Sequence, residues 1–265
     1  MSGTPAPAAT GVFSPRPGAA SLPRQVLAQA RMETVLLLRN GEQLLLALVI
    51  PVLVLIGGVL AVRQLDLSLT YTAIDQLTPG VLALAVMSTA FTSLAIATGF
   101  ERRYGVLKRL GASPLPRHGL LLGKVLALLV VEVVQVVVLG GVALALGWDP
   151  VTTARSLAGA LAMVALGTAA FAALGLLVAG VLRAEATLAA ANLVYILLAA
   201  AGGVVLPLTT YGAVGEVLPF LPSGALGSGM REALLVGTFP LGQSVVLLVW
   251  AAAATVLTAR TFKWE

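Results

Sequence analysis

Six stretches of the chain stay apolar long enough to cross a membrane: residues 44–62, 79–100, 120–146, 158–182, 188–206 and 241–259. About 20 apolar residues in a helix span a hydrocarbon core of roughly 30 Å, so each stretch predicts one transmembrane helix. Ahead of the first, Ser21 and Pro23 carry a helix-start signature. Val26, Leu27, Ala30, Leu37 and Leu38 then fall on one side of a helix, with Arg24, Gln25, Gln29, Arg31 and Arg39 mostly elsewhere. This predicts an amphipathic helix over 21–40, lying in the membrane interface with its arginines near anionic head groups. Residues 1–20 are rich in Pro, Ala, Ser and Gly with one charge, Arg16, and predict a disordered tail. They are not expected to be a signal peptide, because the first apolar run begins near Leu44 and is as long as a span. The expected fold is an all-α polytopic membrane protein with six transmembrane helices.

Two connecting segments depart from simple loops. Residues 207–240 contain Pro219 and Pro222, several glycines, and Val214, Val217, Leu218, Phe220 and Leu221. The segment is too apolar for a water-exposed loop and too broken for a span, which predicts short re-entrant helices covered by protein. Residues 101–119 form the most basic loop. Tyr104, Leu107 and Leu110 recur at i, i+3, i+6 beside Arg102, Arg103, Lys108 and Arg109, and Gly111, Pro114 and Pro116 then stop the helix. A short amphipathic helix at the membrane surface results, and its apolar stripe suits a groove on a soluble partner.

Composition narrows the class. The chain is 59% hydrophobic and 10% charged, against about 25% charged in soluble domains, and its mean hydropathy is +1.02. With no cysteine and a single histidine, His118, neither a disulfide scaffold, a thiolate or His-rich metal site, nor an HExxH metalloprotease is available. The formal charge of +5 is distributed as an orientation signal rather than as a nucleic-acid surface. Arg16, Arg24, Arg31, Arg39, Arg102, Arg103, Lys108, Arg109, Arg117, Lys124, Arg183, Arg260 and Lys263 fall on one side of the predicted spans, and only Arg63, Arg155 and Arg231 on the other. The positive-inside rule then predicts both termini in the cytoplasm of a cell (inner or plasma) membrane.

Within the spans, Glu132 is a mid-membrane acid with Gln135 one turn away. An acid at that depth costs about 3 kcal/mol on insertion scales and is expected to face protein or water. It serves either as a polar point on a substrate path or as a clamp between helices. Asn192 and Tyr195 in the fifth span have the same two readings. Ala165, Ala169 and Ala173 permit close helix packing, and Lys124 is expected to snorkel to the surface. The string Gly119 to Val125 is not a phosphate-binding loop. It has one residue too few between its glycines, and Val125 stands where a magnesium-binding hydroxyl is required. A Gly-x-Ser-x-Gly elbow fails at Ser228, where Leu226 replaces the first glycine. None of these strings therefore predicts an enzyme.

Glu101, Arg102, Gly105, Leu107, Leu110, Ser113, Pro114, Gly123 and Lys124 resemble the signature that follows the second span of ABC-2 type permeases, such as the daunorubicin-resistance permeases. Arg103, Val106 and Lys108 depart from it. The six-span order, the N-terminal interfacial helix and the Pro-rich segment with Arg231 extend the likeness over most of the chain beyond residue 20. The resemblance implies the membrane subunit of an ABC exporter, paired with a separate ATPase that holds ATP and Mg, and with a second permease subunit, expected to be a second copy. It implies that Glu101, Arg102, Tyr104, Leu107, Lys108, Arg109 and Leu110 couple to the ATPase. Pro219, Phe220, Pro222 and Arg231 are expected to help gate the exit, and Glu132, Gln135, Asn192 and Tyr195 to mark the substrate path. Small outer loops and apolar spans favour a hydrophobic or amphipathic cargo, drug or lipid-like. A polysaccharide or glycolipid exporter, or a channel or transporter outside the ABC class, is the alternative.

Overall fold

The computed structural model describes residues 20–64, 71–111 and 115–262. Apart from Ala20, the expected tail lies outside them, as do Ser113, Pro114 and Lys263. The described helices are α1 (Leu22–Arg39), α2 (Gly41–Gln64), α3 (Ala73–Arg103), α4 (Val106–Gly111), α5 (Arg117–Ala145), α6 (Ala154–Val181), α7 (Ala184–Ala201), α8 (Pro222–Arg231) and α9 (Leu241–Thr261). A π-helical turn, Ser88–Ser93, interrupts α3. The 3₁₀ turns Leu208–Glu216 and Leu218–Phe220 precede α8, and a second π turn, Glu232–Val236, follows it. Helices α2, α3, α5, α6, α7 and α9 are long and apolar enough to cross a membrane. The chain is a multi-pass, all-α membrane protein.

Several limits differ from the apolar runs, each for a local reason. Helix α3 starts ahead of Pro79, with the Thr72 hydroxyl accepting from Asp75 N–H. Helix α6 starts at Ala154, where the Thr153 hydroxyl accepts from Ser156 N–H at 3.1 Å. The fifth span was expected to reach residue 206 but stops at Ala201, because Gly202 leads into Gly203 at φ +70°.

Helix α3 is the centre of the bundle. Its most apolar window is 72% buried, against 17% for those of α2 and α7, and it packs on α2, α6, α7 and α8. Phe91 of its π turn meets Phe171 of α6 edge-on at 6.5 Å between centroids. Gly175 of α6 lies against the Phe91 carbonyl, where a Cβ would approach to 2.8 Å, so glycine sets the closeness of this crossing. Helix α9 lies along α6, and α8 turns back into the bundle between α3, α6 and α9. The N-terminus of α2, the C-terminal ends of α3, α6 and α9, and α4 gather at one end, called here the basic end.

Helix α1 packs on α5, against a notch made by Gly119 and Gly123 one turn apart. A Cβ on Gly123 would come within 2.7 Å of Gln29 Cγ, the small-residue device that lets helices approach in lipid. The buried face of α1 is Val26, Gln29, Ala30 and Glu33, while Leu27 and Leu38 are exposed. The expected division into an apolar inner and polar outer face is thus incorrect for Gln29, Leu27 and Leu38. Without water, the face bearing Gln29 and Glu33 is the one that needs protein partners.

Candidate functional site

At the basic end, Lys124 of α5 is only 3% exposed rather than snorkelling outward. Its ammonium donates to Glu33 Oε1 of α1 at 2.8 Å and to Glu101 Oε1 of α3 at 2.7 Å. Gln29 Nε2 donates to the same Glu33 oxygen at 2.7 Å. One cation therefore ties three helices together, and in this apolar setting its desolvation is offset only by those two acids. Glu33 was missed in the sequence, although it is the sole acid on an otherwise basic helix and shares a face with Val26 and Ala30.

The same end holds the basic loop. Helix α3 ends at Arg103, and Gly105 at φ +69° turns the chain into α4. This break corrects the expected stripe. Tyr104 caps α3 and is 65% exposed, Leu107 is buried within its own bundle, and Leu110 is half-buried. Leu107 is consequently not available to a partner's groove. Arg102 is also committed, donating to the Gly180 carbonyl at 2.7 Å and to the Leu182 carbonyl at the C-terminal end of α6, where a cation satisfies unpaired carbonyls and the helix dipole. Arg103 pairs with Glu185 in the first turn of α7 and lies over the Tyr104 ring. The exposed surface left to a partner is Tyr104, Val106, Lys108 and Arg109.

Above this base, a groove of about 520 Å³ opens between α2 and α7, with α3 as its floor. Ser88, Thr92 and Ser93 line it from the π turn and its edge, Asn40 from the α1–α2 junction, and Asn192 and Tyr195 from α7. The wider π turn presents these hydroxyls together on one side, as single π turns often do at functional positions. The Tyr195 hydroxyl shares a hydrogen bond with Ser88. Asn192 and Tyr195, expected on a substrate path, are thus brought together.

Glu132 and Gln135 do not line this groove; both are 1% exposed. Glu132 Oε2 lies 2.6 Å from the Thr168 hydroxyl of α6, which is itself 2.7 Å from the Val164 carbonyl. Thr168 has one proton for two acceptors, so both contacts are complete when the Glu132 carboxyl donates. Nor is Gln135 its partner. Its amide nitrogen donates to the Ala47 carbonyl of α2 at 3.0 Å, and its oxygen accepts from Thr89 of α3 at 3.0 Å. Pro51 lies four residues beyond Ala47 and has no N–H to offer that carbonyl; Gln135 fills the vacancy.

At the opposite end, Arg231 closes α8. Its guanidinium donates to the Val204 carbonyl at 2.8 Å and to that of Val205, beside Gly80 of α3. Its Nε and Nη1 are buried without a partner in the described residues. Burial draws its pKa down to about 10, still above neutrality, so it remains a cation. Pro222 is buried at the first position of α8 and Pro219 is half-buried. Phe220 is 67% exposed, its carbonyl accepting from Trp250 Nε1 at 2.8 Å.

The comparison with protein families meets this arrangement directly: the model of a family described as "ABC-2 family transporter protein" matches residues 60–260. The chain belongs to the ABC-2 transporter family. The match runs from the end of α2 to the end of α9, and so includes the central helix, the basic loop and α8. No curated protein matches the chain. Membership makes it the membrane permease of an ABC transporter, a transport subunit, and implies an ABC ATPase subunit as its partner.

Proposed function

We propose that this ABC-2 permease is the membrane half of an ATP-driven exporter, working with an ATPase on a separate chain that binds ATP and Mg²⁺. The observation that carries the reading is that α3 joins the groove to the basic loop. One helix supplies the floor of the groove at Ser88 and Thr92 and ends at the hinge Tyr104–Gly105, beyond which α4 exposes Lys108 and Arg109. A push on α4 from a soluble partner reaches the groove through the last α-helical stretch of α3, Leu94–Arg103, and Lys124 conveys the same movement to α1 and α5. Glu101, Leu107, Leu110 and Arg102 hold the lever from within, while Tyr104, Lys108 and Arg109 meet the ATPase.

In this reading the basic end faces the cytoplasm, as the charge distribution favours, and both termini are inside. A second copy of the chain completes the permease. The cargo is hydrophobic or amphipathic, a drug or lipid-like molecule, and it leaves past Pro219, Phe220, Pro222 and Arg231. The test is co-expression with candidate ABC ATPase subunits from the same genome, followed by affinity purification. A stoichiometric complex that is lost in Lys108→Glu/Arg109→Glu supports the proposal. Purification of the chain with no ATPase, or a complex indifferent to those changes, overturns it.

A further inference from the structure

We infer that the groove between α2 and α7 is selective for an amphiphile whose head group is uncharged and carries hydroxyl or amide groups. The inference rests on the transport reading above and adds the class of cargo. Its first support is the chemistry of the walls. Asn40, Ser88, Thr92, Ser93, Asn192 and Tyr195 supply hydroxyls and carboxamides, and none of the described residues that line the space is charged. The second is that some of this capacity is unspent. Thr92 Oγ1 is buried with no hydrogen-bond partner, and the Asn192 amide makes no hydrogen bond among the described residues. A buried hydroxyl left unpaired is costly where no bulk water reaches it, and a ligand hydroxyl or amide removes that cost.

The third support is where the charges went. Glu132 is turned to Thr168, Glu33 and Glu101 are held by Lys124, and Arg102 is spent on α6 carbonyls. None is offered to the groove, so an anionic or cationic head group entering it loses hydration without gaining a counter-ion. The volume, about 520 Å³, suits a head group with the first part of its tail. Ile50 and Leu188 lie at its sides, and beyond them Leu53, Leu193 and Ile196 are exposed, so the tail runs out between α2 and α7 into lipid. The groove thus discriminates by hydrogen-bond matching and by exclusion of charge.

The test is photolabelling of the purified chain in phosphatidylcholine nanodiscs, without ATPase or nucleotide. The probe is a diacylglycerol carrying a diazirine on its acyl chain. Competitors with the same chains are unlabelled diacylglycerol, phosphatidic acid and an alkyl trimethylammonium salt. We expect label on peptides containing Ile50 and Leu188, competed at least tenfold more effectively by diacylglycerol than by either charged competitor. Labelling should fall about tenfold in Thr92→Val/Asn192→Leu, a variant whose melting temperature is measured alongside. Equal competition by a charged amphiphile, or labelling unchanged in a folded double variant, overturns the inference. Should that variant not fold, the competitor series on the native chain decides alone. Because no ATPase is present, failure here is distinct from failure of the proposed partnership.

Discussion

Replacing Lys124 with Met isolates the junction that joins α1, α3 and α5. The substitution keeps an unbranched chain of similar length but removes the cation from between Glu33 and Glu101. Their side chains are only 12% and 23% exposed, so both acids are left largely dehydrated. Breaking a buried ion pair from one side costs about 3–5 kcal/mol. The partial exposure of Glu101 and the remaining bond from Gln29 to Glu33 place the expected loss near the lower end, about 3 kcal/mol. At roughly 2–4 °C per kcal/mol for domains of this size, the melting temperature in nanodiscs should fall by about 6–12 °C. The triple variant Lys124→Met/Glu33→Gln/Glu101→Gln removes all three charges together and should recover most of that loss. A fall below about 2 °C in Lys124→Met, or no recovery in the triple variant, would refute the view that these charges hold the helices.

Other consequences can be checked by the same stability assay. Leu107→Asp should destabilise the chain by about 3 kcal/mol or more, because Leu107 is buried in its own bundle; Lys108→Glu should stay within about 0.5 kcal/mol while weakening ATPase co-purification. Gln135→Leu leaves the Ala47 carbonyl unpaired and should cost about 1–3 kcal/mol, whereas adding Pro51→Ala restores an N–H to that carbonyl and should recover part of it. A double-mutant cycle with no coupling between positions 51 and 135 would contradict that assignment. Glu132→Gln should melt and transport like the native chain, since its amide can donate to Thr168, whereas Glu132→Ala should lose about 2 kcal/mol by opening a void. Altered transport in a stable Glu132→Gln would return this residue to the substrate path.

The spans were legible because six long apolar runs admit no other solution in lipid. What escaped the sequence was rotation about helix axes. A single left-handed residue, Gly105, separates Tyr104 from Leu107 and turns one outward and the other inward, although the i, i+3 spacing put them on one stripe. Lys124 looked like a surface lysine because its two acids, Glu33 and Glu101, come from distant segments. The function of Gln135 depended on a defect in another helix, at Pro51. The groove was visible only as Asn192 and Tyr195, since the π turn that brings Ser88, Thr92 and Ser93 to it has no obvious mark in the residue pattern. Arg231 stands out in the Pro-rich segment, but its attachment to the Val204 and Val205 carbonyls follows from a chain reversal that hydropathy does not describe.

The central claim, that a separate ATPase drives this permease through the segment around α4, is tested most directly by single-cysteine crosslinking. The chain has no native cysteine, so Tyr104→Cys and Lys108→Cys report on one surface and Val214→Cys, at the opposite end, serves as the control. With the ATPase co-expressed, each cysteine labelled with maleimide–benzophenone and the complex irradiated so that the ketone inserts into a neighbouring C–H bond, the account predicts a permease–ATPase adduct from positions 104 and 108 and none from 214. An adduct at 214, or none at 104 and 108 in a complex that otherwise co-purifies, would contradict it.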